Sequence, residues 1–156
     1  MIHRTLSIAI GVVALFLVAV VSAFAWSGDV QGAPTLNEQS PVGYYVWHND
    51  DGMHLRTHGP GSEHDFVARL HSDGTFYNVD AVRLESADKF WVTDGGHTIL
   101  LHFHTYNWTD GLNYRVMGGT YVRYNLKLDG QETPTTSIFL GKDGTHPATD
   151  PFTLHR

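Results

Sequence analysis

The chain has 156 residues, no cysteine and a formal net charge of −6, with 10 Lys and Arg against 16 Asp and Glu. Its basic residues are scattered, so it offers no positive face for nucleic acid or an anionic membrane surface. With no cysteine there is no disulfide framework, and the fold must rest on apolar burial, which a chain of this length can supply.

After Met1-Ile2-His3-Arg4, residues 6–25 carry no charge and end in Ala23-Phe24-Ala25, the small-x-small pattern of a signal-peptidase site. This predicts an export segment over residues 1–25. It reads as a cleaved signal peptide, with an uncleaved membrane anchor as the alternative, because about 20 apolar residues span a bilayer. Either form leaves the remainder secreted or at the cell envelope, touching the membrane only through that segment. An exported domain without cysteine points to a bacterial source.

Residues 26–41 are rich in Gly, Pro, Ser, Asn and Gln without apolar periodicity, and read as a flexible tether. Over residues 42–156, short runs of Val, Tyr, Phe, Thr and Leu alternate with turn residues. Asp-Gly recurs at Asp51-Gly52, Asp73-Gly74, Asp94-Gly95, Asp110-Gly111, Asp129-Gly130 and Asp143-Gly144. Both residues tolerate the positive φ of tight hairpin turns. The prediction is one all-β domain of nine or ten short antiparallel strands, a β-sandwich or a small up-and-down barrel.

Pairing across Asp51-Gly52 sets Val46, Leu55, His48 and Thr57 on one face. The other collects Tyr45, Trp47, Asn49, His54, Arg56 and His58. Aromatic rings beside amide, imidazole and guanidinium groups suit a sugar, whose flat face stacks while its hydroxyls take the polar groups. The plainer reading of the same face is a cation–π pair of Trp47 with Arg56. Pairing across Asp73-Gly74 aligns Phe66, Ala68 and Leu70 with Tyr77, Val79 and Ala81, with a bulge near Ala81. Ser62-Glu63-His64-Asp65 brings hydroxyl, base and acid together in sequence, but chemistry requires convergence in space.

Pairing across Asp94-Gly95 sets Phe90 and Val92 with Ile99, Leu101 and Phe103 as core. Trp91, Leu100, His102, His104 and Tyr106 take the reverse face. His102 and His104 are two apart on a strand, so both rings project from one side and can share a transition metal if another strand brings a further ligand. Around Met117-Gly118-Gly119, Leu112, Tyr114 and Val116 share a face with Val122 and Tyr124, as a further hairpin.

Gly96 followed by His102-Phe103-His104 resembles the opening of the cupin metal motif. The glutamate expected after it is missing from Thr105-Tyr106-Asn107-Trp108-Thr109, so no metal or activity carries over. Val42-Gly43-Tyr44-Tyr45, Ser72-Asp73-Gly74-Thr75-Phe76 and Lys89-Phe90-Trp91 resemble small bacterial lipocalin-like domains, which implies barrel-like topology. No serine-hydrolase elbow, zinc-protease helix or phosphate loop is present.

The leading expectation is therefore a secreted, non-catalytic β domain without a cofactor. It would bind carbohydrate, a small molecule or an envelope protein through Tyr45, Trp47, Asn49, His54, Arg56, His58, Trp91 and Tyr106. The alternatives are a metal-binding protein or metal-dependent enzyme using His102 and His104, and a structural surface protein assembling through strand edges.

Overall fold

The computed structural model describes residues 32–141 and the backbone of residues 153–155; the expected export segment and Asp143-Gly144 lie outside them. Among the described residues no helix is long and apolar enough to cross a membrane.

The strands are β1 (Gly43–Asn49), β2 (Gly52–His58), β3 (His64–Ser72), β4 (Thr75–Val82), β5 (Lys89–Thr93), β6 (Thr98–Thr105), β7 (Thr109–Met117), β8 (Tyr121–Leu128), β9 (Gln131–Glu132), β10 (Thr136–Phe139) and β11 (Thr153–His155). They form two antiparallel sheets. The first runs β11-β1-β2-β7-β4 and the second β10-β8-β3-β6-β5, with β9 paired to β8. Alternation puts Tyr44, Val46, Leu55, Leu112, Tyr114 and Val116 of the first sheet into one core with Phe66, Leu70, Ile99, Leu101, Phe103, Val122 and Tyr124 of the second. Polar bridges tie the sheets together within this core. The Tyr44 hydroxyl donates toward Lys127 O at 2.6 Å and Val67 O at 3.0 Å, and the Tyr114 and Tyr124 hydroxyls are 2.5 Å apart.

Two expected hairpins form as pairs. β1 meets β2 with Tyr45 opposite Arg56 and Trp47 opposite His54, so the turn is Asp50-Asp51 and the faces are as expected. β5 meets β6 with Phe90 opposite Leu101 and Val92 opposite Ile99. Two others do not exist as hairpins. β3 and β4 lie in different sheets, as do β7 and β8, so Asp73-Gly74 and Met117-Gly118-Gly119 are crossings between sheets.

Leu112, Tyr114 and Val116 do share a core with Val122 and Tyr124, as Phe66, Ala68 and Leu70 do with the partly buried Val79, but from opposite walls. On β4 the buried residue is Phe76 instead of the expected Tyr77, and Ala81 is exposed. The two crossings brace one another: the Asp73 carboxylate accepts from Thr120 N–H at 2.8 Å and Thr120 Oγ1 at 2.6 Å. A Cβ on Gly74 would meet Gly119 N at 2.5 Å, which explains a glycine there. The order of strands is likewise not up-and-down, because most neighbours are non-consecutive. The register of β4 against β7 shifts between Tyr77 and Asp80, a little before the expected bulge, where Asn78 has φ of 48°.

Asp110-Gly111, expected as a turn, lies inside β7. The glycine serves packing. A Cβ at Gly111 would stand 2.2 Å from Leu55 O and 2.6 Å from Arg56 Cδ, so its absence gives Arg56 room to fold across β7. The guanidinium then donates to Leu55 O and Leu112 O through Nη1 at 2.8 and 3.1 Å, and to Asn113 Oδ1 through Nη2 at 2.9 Å. Gly111→Ala is expected to lower stability by about 2 kcal/mol or more through this overpacking. A urea midpoint unchanged from the native chain, at unchanged m-value, would disprove that role.

Candidate metal centre and adjoining cleft

The aromatic-polar face of the first hairpin is assembled as expected, but it is covered. Tyr45, Trp47, His54, Arg56 and His58 are all buried. Trp47 stacks on His54 at 5.1 Å, with the Arg56 guanidinium also 5.1 Å from its ring. His54 lies 2.7 Å from Asn113 Oδ1 through Nδ1 and 2.9 Å from Asn49 Oδ1 through Nε2. Residues 32–41, read from sequence as tether, provide the cover. Leu36 is buried, the Tyr45 hydroxyl donates to Pro41 O at 2.8 Å, and His58 Nε2 donates to Asn37 O at 3.0 Å. Burial lowers the pKa of both His54 and His58, which favours neutral rings beneath this cover. A ligand for this face would have to displace residues 32–41.

The outer face of the second sheet is open. β6 projects His102 and His104 from it, with ring centroids 4.5 Å apart. Asp65 on β3 pairs with His104 in register and so joins them on the same face. The His102 Nε2–H donates to Asp65 Oδ1 at 2.5 Å, and His104 Nε2 lies 3.5 Å from the same oxygen. One ligating atom from each of the three lies within 4.8 Å of the others.

Two ligands about 2.05 Å from a tetrahedral ion stand roughly 3.3 Å apart. The His104–Asp65 edge already fits, while the His102–Asp65 edge must open by about 1 Å. All three side chains are partly exposed, between 31% and 42%, so they can make that adjustment and leave a coordination position toward solvent.

Behind His104 stands a carboxylate that sequence reasoning missed. Asp88 Oδ1 accepts the His104 backbone N–H at 2.7 Å, and its Oδ2 accepts Glu85 N–H at 2.8 Å. His104 Nδ1 is buried without a hydrogen-bond partner among the described residues and lies 3.7 Å from Asp88 Oδ1. A small rotation would let Nδ1–H donate to Asp88 and turn Nε2 toward Asp65, the outer carboxylate arrangement common to metal-bound histidines. Asp65 was also missed as a ligand. Its partner strand is 37 residues away in sequence, and no hairpin signal joins the two.

His102 also lines a cleft of about 420 Å³ on this face. Its floor is Val67 and Leu100 with Trp91, which is 51% exposed. Arg69, Asn125, Lys127, Glu132, Thr133 and Thr135 supply polar walls. That volume lies within the usual range for small-ligand sites. Tyr106, the remaining candidate, is exposed just past β6 and does not line the cleft.

Comparison with protein-family models, curated proteins and solved structures finds no match.

Inside the sheet junction, Thr105 Oγ1 donates to Asp110 Oδ2 at 2.6 Å and lies 2.6 Å from Thr57 Oγ1. Burial, above all, pushes the Asp110 carboxyl up to about 6, with the charges of Asp88 and Glu85 adding to it. Because the folded value lies above the unfolded one, this group's stabilising share is full at acid pH and fades as pH rises through about 6. Asp110→Asn keeps an oxygen for Thr105 and carries no charge. It should therefore exceed the native chain by about 2 kcal/mol at pH 8 and lose that advantage at pH 4. Denaturant titrations at the two pH values check this; a difference that does not vary with pH would refute it.

Proposed function

We propose that the domain holds a divalent transition metal of the zinc class on Asp65, His102 and His104, and presents it at the edge of the Trp91 cleft to an oxygen-rich ligand. The observation that carries this reading is the arrival of Asp65 from β3, which supplies the third ligand that a His-x-His strand lacks. Three protein ligands with one position toward solvent is the arrangement that accepts an outside ligand, whereas a closed structural site takes four.

The cleft supports carbohydrate as the ligand class. Trp91 offers a half-exposed flat ring, and amide, hydroxyl and guanidinium groups stand around it to take hydroxyls. Residues 1–25 favour a place of action outside the cytoplasmic membrane.

Zinc titration by calorimetry, on chain prepared without a histidine tag, tests the centre. About one ion per chain is expected, with binding abolished by His102→Ala and weakened by about 10- to 100-fold by Asp88→Asn. Trp91→Ala should leave zinc affinity unchanged and remove glycan binding on an array. Sub-stoichiometric zinc that His102→Ala does not alter would end the metal reading.

A further inference from the structure

The stretch Ser62-Glu63-His64-Asp65 does converge in space, with a different acid from its own. Ser62 Oγ lies 3.1 Å from His64 Nε2, and His64 Nδ1 lies 2.8 Å from Asp129 Oδ2. Asp129 belongs to the turn between β8 and β9, 65 residues away from His64. It is held firmly there. Its Oδ1 accepts Asp65 N–H at 2.9 Å and its own N–H donates to Asp65 O at 2.8 Å. Asp129 has φ of 50° and Gly130 of 76°, the left-handed pair of a tight hairpin turn.

The loop carrying Ser62 is fastened as well. Gly61 N–H donates to Asn107 Oδ1 at 3.0 Å, and Asn107 N–H donates to Gly59 O at 2.9 Å. A Cβ on Gly59 would stand 2.4 Å from Thr105 O, so that residue's smallness lets the loop lie against β6.

His64 Nδ1 faces the Asp129 carboxylate and Nε2 faces the Ser62 hydroxyl. A carboxylate at Nδ1 requires the ring proton there, which leaves Nε2 to accept from the Ser62 hydroxyl. Nucleophile, base and orienting acid thus stand in the order and within the reach that acyl-transfer chemistry uses.

We propose that Ser62, His64 and Asp129 form a serine nucleophile site that hydrolyses short-chain carboxylic esters. Ser62 is exposed on its loop, which suits a small acyl group, such as acetyl, carried on a large alcohol in solution. Ser62 Oγ attacks the ester carbonyl carbon while its proton passes to His64 Nε2. Collapse of the tetrahedral adduct breaks the bond to the alcohol oxygen, which leaves with the proton from His64. Water then attacks the acyl-serine, giving one proton to His64, and the carboxylic acid departs as Ser62 recovers its proton. The balance is ester plus water to acid plus alcohol, and no other reactant is needed. His64 and Ser62 are the catalytic residues; Asp129 is a positioning residue.

The test uses the full chain with p-nitrophenyl acetate in EDTA, so that hydrolysis at the neighbouring metal centre makes no contribution. Turnover roughly 100-fold above that of Ser62→Ala and of His64→Gln is expected, the size of a general-base contribution. Asp129→Asn should lower kcat by about tenfold with KM unchanged, since it disturbs the ring and not substrate binding. A fluorophosphonate probe should label Ser62, as mapped on peptides, and should fail to label His64→Gln.

Because the chain has no cysteine, Ser62→Cys introduces a lone thiol whose alkylation rate reports on His64 directly. It should react at least about tenfold faster than the same thiol with His64→Gln. Equal turnover in native chain and Ser62→Ala, label elsewhere than Ser62, or a thiol indifferent to His64 would overturn the proposal.

Discussion

Strand β3 is hydrogen-bonded along both edges, from His64 to His71 with β6 and from Phe66 to Ser72 with β8. Both polar clusters on the outer face of the second sheet depend on that double pairing. The β6 edge sets Asp65 against His104. The β8 edge brings Asp129 up to His64 and to the Asp65 backbone. A two-residue slip of β3 against β6 would keep every apolar residue facing inward, yet it would put Val67 opposite His104 and carry Asp65 beyond reach. Apolar burial alone therefore does not secure the site. The bonds between Asp129 and the Asp65 backbone, and the Tyr44 hydroxyl on Val67 O, penalise the slip because each would lose a buried or fixed partner.

The two faces of this molecule use similar residues to opposite ends. On the first sheet, Trp47, His54 and Arg56 are drawn into one buried network, and Gly111 exists to let the guanidinium cross its neighbour strand. Residues 32–41 complete it by covering the rings and accepting His58. On the second sheet, Trp91, His102 and His104 remain in reach of solvent, beside a cleft and a fixed carboxylate. Aromatic and imidazole side chains carry no label that distinguishes these fates. What distinguishes them is whether another segment of chain lies on top.

The hairpin predictions divide along the same physical line. β1 with β2 and β5 with β6 are joined by turns short enough that neighbours in sequence become neighbours in the sheet. For β3 with β4 and β7 with β8, equally strong turn residues connect different sheets. Period-two alternation correctly assigned Phe66, Leu70, Leu112, Tyr114, Val122 and Tyr124 to the core, because it depends only on which side of a strand faces inward. It has no information on which strand lies alongside, and Asp73 braced on Thr120 is a tertiary contact between two crossings.

By itself the amino-acid sequence determined the all-β class, most of the inward apolar residues though not the placing of Tyr77, Ala81 and Val92, the two local hairpins and the shared face of His102 and His104. These follow from alternation and turn chemistry, which act over a few residues. Only the tertiary structure decided that Asp65 joins those histidines, that Asp129 meets His64, and that the Trp47 face is covered while the Trp91 face is open. Those outcomes need pairings between strands tens of residues apart, and such pairings are settled by the packing of the whole core.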